Sequence, residues 1–227
     1  MTAPTPRRLT FADPGEAAGL AAFLGRLLRW EKAAAVRLRA SDGVLAVFAR
    51  PARFEVLAVL SARLPEPVEE LDTTVSAGEL LEGVDEQAET CTVPREVTGP
   101  SWAGLLPPRG GWRPLTELPA GGVRETATAL VAEFRERTER LEPEERTRGA
   151  MDALAEELWG RRLGGTALPL RAVHAAHVLG FLRGTGPVAL YDTGDTGAWL
   201  RLRTPYGSVV ARAEGPAPGR GLTVTPV

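Results

Sequence analysis

The apolar positions of this chain follow two different periods. Leu20, Leu24, Leu27 and Leu28 recur at helical spacing, so one face of a first helix should turn toward a core. Asp13-Pro14-Gly15-Glu16 reads as a capping box with proline at the first helical position, and the helix should end near Trp30. The period then changes to two. Val36 and Leu38 alternate with Arg37 and Arg39, as in a strand with one wet face. Ser41-Asp42-Gly43 is turn chemistry, and Val44 to Phe48 returns as the partner strand. Pro51 breaks the run. Phe54 to Leu60, apolar on both faces apart from Glu55, is expected as a central third strand. Leu71 to Val75 supplies a fourth, and Ser76-Ala77-Gly78-Glu79 opens a short helix through a second capping box.

Periodicity stops between Thr98 and Leu118. The segment contains Pro100, Pro107, Pro108 and Pro114, Gly104, Gly110 and Gly111, and Trp102 and Trp112. A stretch of this length without a pattern is expected to be a functional loop or a linker. Beyond it, Val123, Ala127, Leu130, Val131 and Phe134 form one amphipathic stripe, and Met151, Leu154, Ala155, Leu158 and Trp159 form another, joined near Glu142-Pro143. A third helix is expected from Pro169 to Leu182. Val188 to Tyr191, Ala198 to Arg203 and Ser208 to Ala213 read as short strands, with Thr204-Pro205-Tyr206-Gly207 as a turn. The expected fold is α+β: an N-terminal α-β-β-β-(β) unit followed by a three-helix unit closed by short C-terminal strands. The expected divisions are an α+β half over residues 11–97, a loop or linker over 98–118, a helical half with a β-hairpin over 119–213, and a loose tail over 214–227. No internal repeat is visible.

Composition narrows the function. At 227 residues, 44% hydrophobic and 25% charged, the chain is that of an ordinary folded protein. A formal net charge of −2 gives no global attraction to nucleic acid or to an anionic membrane. Lys32 is the only lysine and follows Trp30-Glu31 without a glycine-rich loop, which argues against Schiff-base and phosphate-loop chemistry. Cys91 is the only cysteine, so an intrachain disulfide and a cysteine-based zinc site are excluded. Met1 to Thr10 contains no apolar targeting segment, and no apolar run reaches membrane-spanning length. A cytoplasmic protein is expected, without membrane association and without a cofactor.

The run Trp102-Ala103-Gly104-Leu105-Leu106-Pro107-Pro108-Arg109-Gly110-Gly111-Trp112, with Arg203-Thr204-Pro205-Tyr206-Gly207-Ser208, resembles an uncharacterised protein family restricted to actinobacteria. The resemblance extends from Asp13 to about Arg212. It implies a cytoplasmic protein without an assigned activity, and no catalytic residues come with it.

Candidate chemistry is sparse. Leu190-Tyr191-Asp192-Thr193-Gly194 resembles an aspartic-protease turn, but there is no second copy and too little chain follows for a barrel, so a hairpin turn is the better reading. Gly184-Thr185-Gly186 lies between a helix and a strand, the reverse of a dinucleotide loop, and reads as a helix stop. His174 and His177 share a helical face that has no acid to complete a metal set, which favours buried histidines or the polar lining of a pocket. Three helices and a hairpin are also the order of a winged helix. The third helix, however, offers only Arg171 and two histidines for reading bases, so nucleic acid is disfavoured. Arg109 beside Gly110 and Gly111 could present a guanidinium and backbone N–H groups to an anion between Trp102 and Trp112. The expected function is therefore non-catalytic binding or regulation. Its expected site residues are Trp102, Arg109, Gly110, Gly111, Trp112, His174, His177 and Tyr206, with a cleft between the halves. The ligand would be an unknown small molecule or a protein, and self-association stays open. The alternatives are an enzyme acting on a small anion with carboxylate and arginine chemistry, or winged-helix-like DNA binding.

Overall fold

The computed structural model describes residues 7–52, 54–66, 68–194 and 199–213. The tail expected over 214–227 and the expected strand start at Ala198 lie outside them. In chain order the elements are β1 (Arg8–Thr10), α1 (Glu16–Trp30), β2 (Ala35–Ser41), β3 (Val44–Ala49), β4 (Leu57–Arg63), β5 (Leu71–Ser76), α2 (Ala77–Glu82), β6 (Val84–Asp85) and β7 (Thr90–Thr92). There follow β8 (Arg113–Pro119), α3 (Ala120–Glu139), α4 (Arg148–Gly160), α5 (Leu170–Val178), β9 (Pro187–Asp192), β10 (Trp199–Thr204) and β11 (Gly207–Arg212). The protein is α+β, with a strand-rich first half, then helices, then C-terminal strands.

Eight strands form one sheet in the order β5-β2-β3-β4-β11-β10-β9-β8, and every pair of neighbours is antiparallel. A small sheet, β1-β7-β6, lies apart. The large sheet repeats itself about its centre. On each side an edge strand (β5 or β8) pairs with the first strand of a three-strand meander, and the two meanders end on β4 and β11. These last strands pair Leu57 with Val210, Ala58 with Val209 and Val59 with Ser208. The repeat belongs to topology alone, because a meander requires alternation and turns rather than a particular sequence.

Burial explains which face the helices occupy. β2 alternates half-buried and buried along its length, with Val36, Leu38 and Ala40 inward and Arg37 and Arg39 outward. Leu20, Phe23, Leu24 and Leu27 of α1 share a single apolar cluster with these residues and with Ala172, Val173, Ala175 and Ala176 of α5, Val123 and Ala127 of α3, and Leu202 and Val209 of the C-terminal strands. One core thus runs under both halves of the sheet. At about 1.5–3 kcal/mol per fully buried large apolar side chain, it is the main force joining them.

Several local expectations shift. α1 starts at Glu16 behind Gly15 (φ +85°), so Pro14 stands outside the helix. Half of the capping box forms, with the Asp13 N–H donating to Glu16 Oε2 at 3.3 Å. The Asp13 carboxylate instead accepts from Arg63 Nε at 2.7 Å, and the distant Glu89 carboxylate accepts from the Gly15 and Ala17 N–H groups at 2.6 and 3.0 Å. β4 starts three residues later than expected. Glu55 takes a positive φ of +52°, and Phe54 turns away to pack edge-on against Trp30 and His174. The third helix is shorter than expected, since Gly180 (φ +77°) closes the turn after α5. Residues 113–118, expected at the end of the loop, form with Pro119 the edge strand β8. Nearly all of its side chains are exposed on both faces, so no alternation betrays it.

Candidate functional site

The sheet has a second face, which the described helices leave open. At its centre Leu57, Val59 and Val210 form a small apolar cluster with Phe48, Trp102, Leu106, Trp112 and Trp199. The segment between β7 and β8 crosses this face as a strap. A short 3-10 turn over Ser101–Gly104 sets down Trp102, and Trp112 closes the strap by donating Nε1–H to the Pro108 carbonyl at 3.1 Å. Around this cluster the face carries arginines, because β2 and β10 each place one at alternate positions. Cross-strand register aligns Arg37, Phe48, Val59, Ser208 and Arg203 in one row, and Leu57, Val210, Arg201 and Tyr191 in another.

The two arginine pairs meet different surroundings. On β2, Arg37 donates Nε–H to Asp72 Oδ1 at 2.8 Å and Nη1–H to the Ala103 carbonyl at 3.1 Å. Arg39 Nε lies 3.4 Å from Asp72 Oδ2. The hydrogen bond from Arg37 holds the Asp72 carboxyl below its ordinary range, and the charges of Arg37, Arg39 and Arg109 add to the effect. On β10, neither Arg201 nor Arg203 has a carboxylate partner among the described residues. Arg201 donates Nη2–H to Ser208 Oγ at 3.0 Å, and its guanidinium carbon lies 5.6 Å from the centre of the Trp112 ring. Its Nε is shielded from solvent and unpaired. Burial, and after it the neighbouring Arg203 charge, pulls the Arg201 guanidinium below its usual pKa.

Arg201 and Arg203 face a cavity of about 370 Å³ lined also by Tyr191, Ser208, Ser61 and Pro205. No carboxylate, histidine or thiol lines it. Two guanidinium forks beside hydroxyl groups can take a phosphate or carboxylate by charge-assisted, bidentate hydrogen bonds.

The residues singled out from the sequence are distributed over both faces. Trp102 and Trp112 meet in the strap cluster. Arg109, at its margin, donates Nη1–H to Ser41 Oγ at 3.0 Å, and Gly110 and Gly111 (φ +78°) form the exposed turn into β8. His174 and His177 lie on the helix side. His174 Nδ1 accepts a hydrogen bond from Trp159 Nε1, and burial, with His177 second, lowers its pKa to about 4. Tyr206 sits at the β10–β11 turn under Arg183, 4.2 Å from its ring centre. Arg201, Arg203, Tyr191 and Ser208 were not singled out as site residues. The signal was the alternation Trp199, Arg201, Arg203 along one strand, which looks the same as the structural pair on β2.

Family comparisons divide the chain at the strap. Residues 4–104 match a domain of unknown function, DUF8010, and residues 107–216 match another, DUF8185. The chain thus carries two domains of unknown function in tandem. Ser61 comes from the DUF8010 part and the rest of the cavity lining from the DUF8185 part, so both contribute to the pocket. No curated protein matches the chain. Among solved structures, a DNA polymerase sliding clamp from Pseudomonas aeruginosa is 12% identical with a TM-score of 0.47, covering 93% of this chain and 66% of that one. The same clamp with a ligand gives 13% identity, a TM-score of 0.49 and coverage of 93% and 66%. An H. pylori beta clamp in complex with 5-chloroisatin gives 10%, 0.49, 94% and 65%. The chain thus spans about two thirds of the length of these structures. Among the described residues no helix is long and apolar enough to cross a membrane.

Proposed function

We propose that this is a non-catalytic binding protein that holds an anionic ligand on the open sheet face, between Arg201, Arg203, Tyr191 and Ser208 and beside the strap that ends at Trp112. The observation that carries the reading is Arg201. Its Nε is buried without a partner, and the cavity beside it supplies cations and hydroxyls but no counter-charge. A buried guanidinium left in this state costs stability that a bound anion would recover. Its twin on β2 differs in counter-charge. Asp72 accepts a hydrogen bond from Arg37 and lies 3.4 Å from Arg39 Nε, which is buried without a hydrogen bond like that of Arg201 but has a carboxylate beside it.

Isothermal titration with inorganic phosphate, pyrophosphate and citrate tests the reading. At least one anion should bind, more weakly as salt is raised, and Arg203→Gln should reduce its affinity about ten- to a hundredfold, the worth of a lost charge-assisted hydrogen bond. Equal binding by wild type and Arg203→Gln, or no binding at all, would overturn it. DNA reading by the C-terminal half finds no support in the packing. Ala172, Val173, Ala175 and Ala176 of α5 are buried, and the hairpin β10–β11 is built into the sheet.

A further inference from the structure

The sheet has a gap at its seam. β11 begins at Gly207, whereas β4 runs on to Arg63, so on this edge Ser61 and Ala62 stand beside the Pro205–Tyr206 turn instead of a strand. The backbone of Arg63 bonds to Ala12 and Glu16. Two cavities open there, the one of about 370 Å³ on the open face and one of about 250 Å³ on the helix face. Ser61 and Pro205 line both, so the two cavities adjoin at the turn.

The second cavity repeats the chemistry of the first. Arg26 and Arg183 line it together with Tyr206. Arg26 donates Nη1–H to the Ala22 carbonyl of its own helix at 3.1 Å, and Arg183 stacks on Tyr206. Glu16 is the acid in this lining, and its oxygens already accept the Arg63 N–H at 2.8 Å and the Asp13 N–H at 3.3 Å. Arg26, Arg183, Arg201 and Arg203 therefore all lack a carboxylate partner among the described residues. Close backbone approaches hold the walls. A Cβ at Gly184 would lie 2.8 Å from Tyr206 Cε2, one at Gly207 would lie 2.5 Å from Phe181 Cε1, and one at Gly180 would lie 2.9 Å from the Arg26 guanidinium carbon. The turn and both aromatic rings are seated where nothing larger than glycine fits.

We infer that the gap takes one ligand with two anionic ends, a bisphosphate, with one phosphate at Arg201 and Arg203, the other at Arg26 and Arg183, and the link passing Ser61 and Pro205. The inference rests on the reading of the open-face pocket given above. A single phosphate neutralises one arginine pair and leaves the other uncompensated, whereas a bisphosphate answers both with one loss of translational freedom, the advantage of linked binding groups.

The test is calorimetric titration of the full chain with inorganic phosphate, pyrophosphate and straight-chain alkanediol bisphosphates of increasing length. Wild type, Arg183→Gln and Arg203→Gln are compared. One chain length should bind at least tenfold more tightly than inorganic phosphate, and each variant should lose that advantage while still binding phosphate at its intact cavity. Bisphosphates no tighter than phosphate, or unaffected by Arg183→Gln while phosphate binding still depends on Arg203, would overturn the bridging ligand and leave the open-face pocket standing. Failure of every anion to bind would overturn both.

Discussion

His174 shows how strongly neighbours can outweigh residue type. Its ring lies edge-on to Phe54 at 5.2 Å and accepts the Trp159 indole proton, with burial lowering its pKa from 6.5 to about 4. The fold holds it neutral, so below pH 6.5 the unfolded chain binds the proton first. Its contribution is fully present above pH 6.5 and is lost as the pH falls to about 4, amounting to about 3 kcal/mol. Urea unfolding between pH 7.5 and 4.5 should show this slope. His174→Gln, which keeps an acceptor for Trp159, should flatten it, and an unchanged slope would mean that other groups carry it. Cys91 is the opposite case of a reactive type made inert, because burial raises its thiol to about 11. The helical spacing of His174 and His177 was plain in the sequence. The partner of His174, Trp159 on α4, was not, because that pairing depends on how two helices cross.

Among the elements, those with a strong period were legible. α1, the β2–β3 hairpin, the Ser76 cap of α2 and the β9–β11 meander stand within a few residues of expectation, since amphipathic alternation needs only local sequence. β8 and the strap were not separable, because an edge strand exposed on both faces has no alternation to detect. The β10–β11 turn was legible as a turn, but not as the wall of a site. Gly207 holds φ at +143° with Phe181 where a side chain would begin. Gly207→Ala should therefore cost about 1–3 kcal/mol through strain at that backbone position. Thermal unfolding would register it as a fall of several degrees, and a variant as stable as wild type would show that the turn can shift freely.

At the scale of the molecule, two matched domains share one sheet and one core. β4 and β11 pair across the junction, and Arg171 of α5 bridges Glu55 of the first half and Glu156 of α4. Neither half can leave without exposing the inner edge of a central strand and part of the common cluster. The full chain should therefore unfold in one cooperative step, with the far-ultraviolet signal and tryptophan fluorescence changing together. Two separated transitions would show that the domains are energetically independent.

By itself the sequence determined the α+β class, most helices and strands, the wet and dry faces of β2, and a tryptophan-rich segment without a period. All of these follow from the short-range alternation of apolar and polar residues, or from its absence. Only the tertiary structure decided that the two meanders join through β4 and β11, that the strap crosses their open face, and that a gap remains beside the Pro205–Tyr206 turn. The same holds for the arginines. Arg37 and Arg39 read like Arg201 and Arg203 along the chain, but β5 brings Asp72 beside the first pair, while no described carboxylate stands beside the second. Which charge is satisfied depends on which distant strand lies next to it, and sheet order is not written in the period of any one strand.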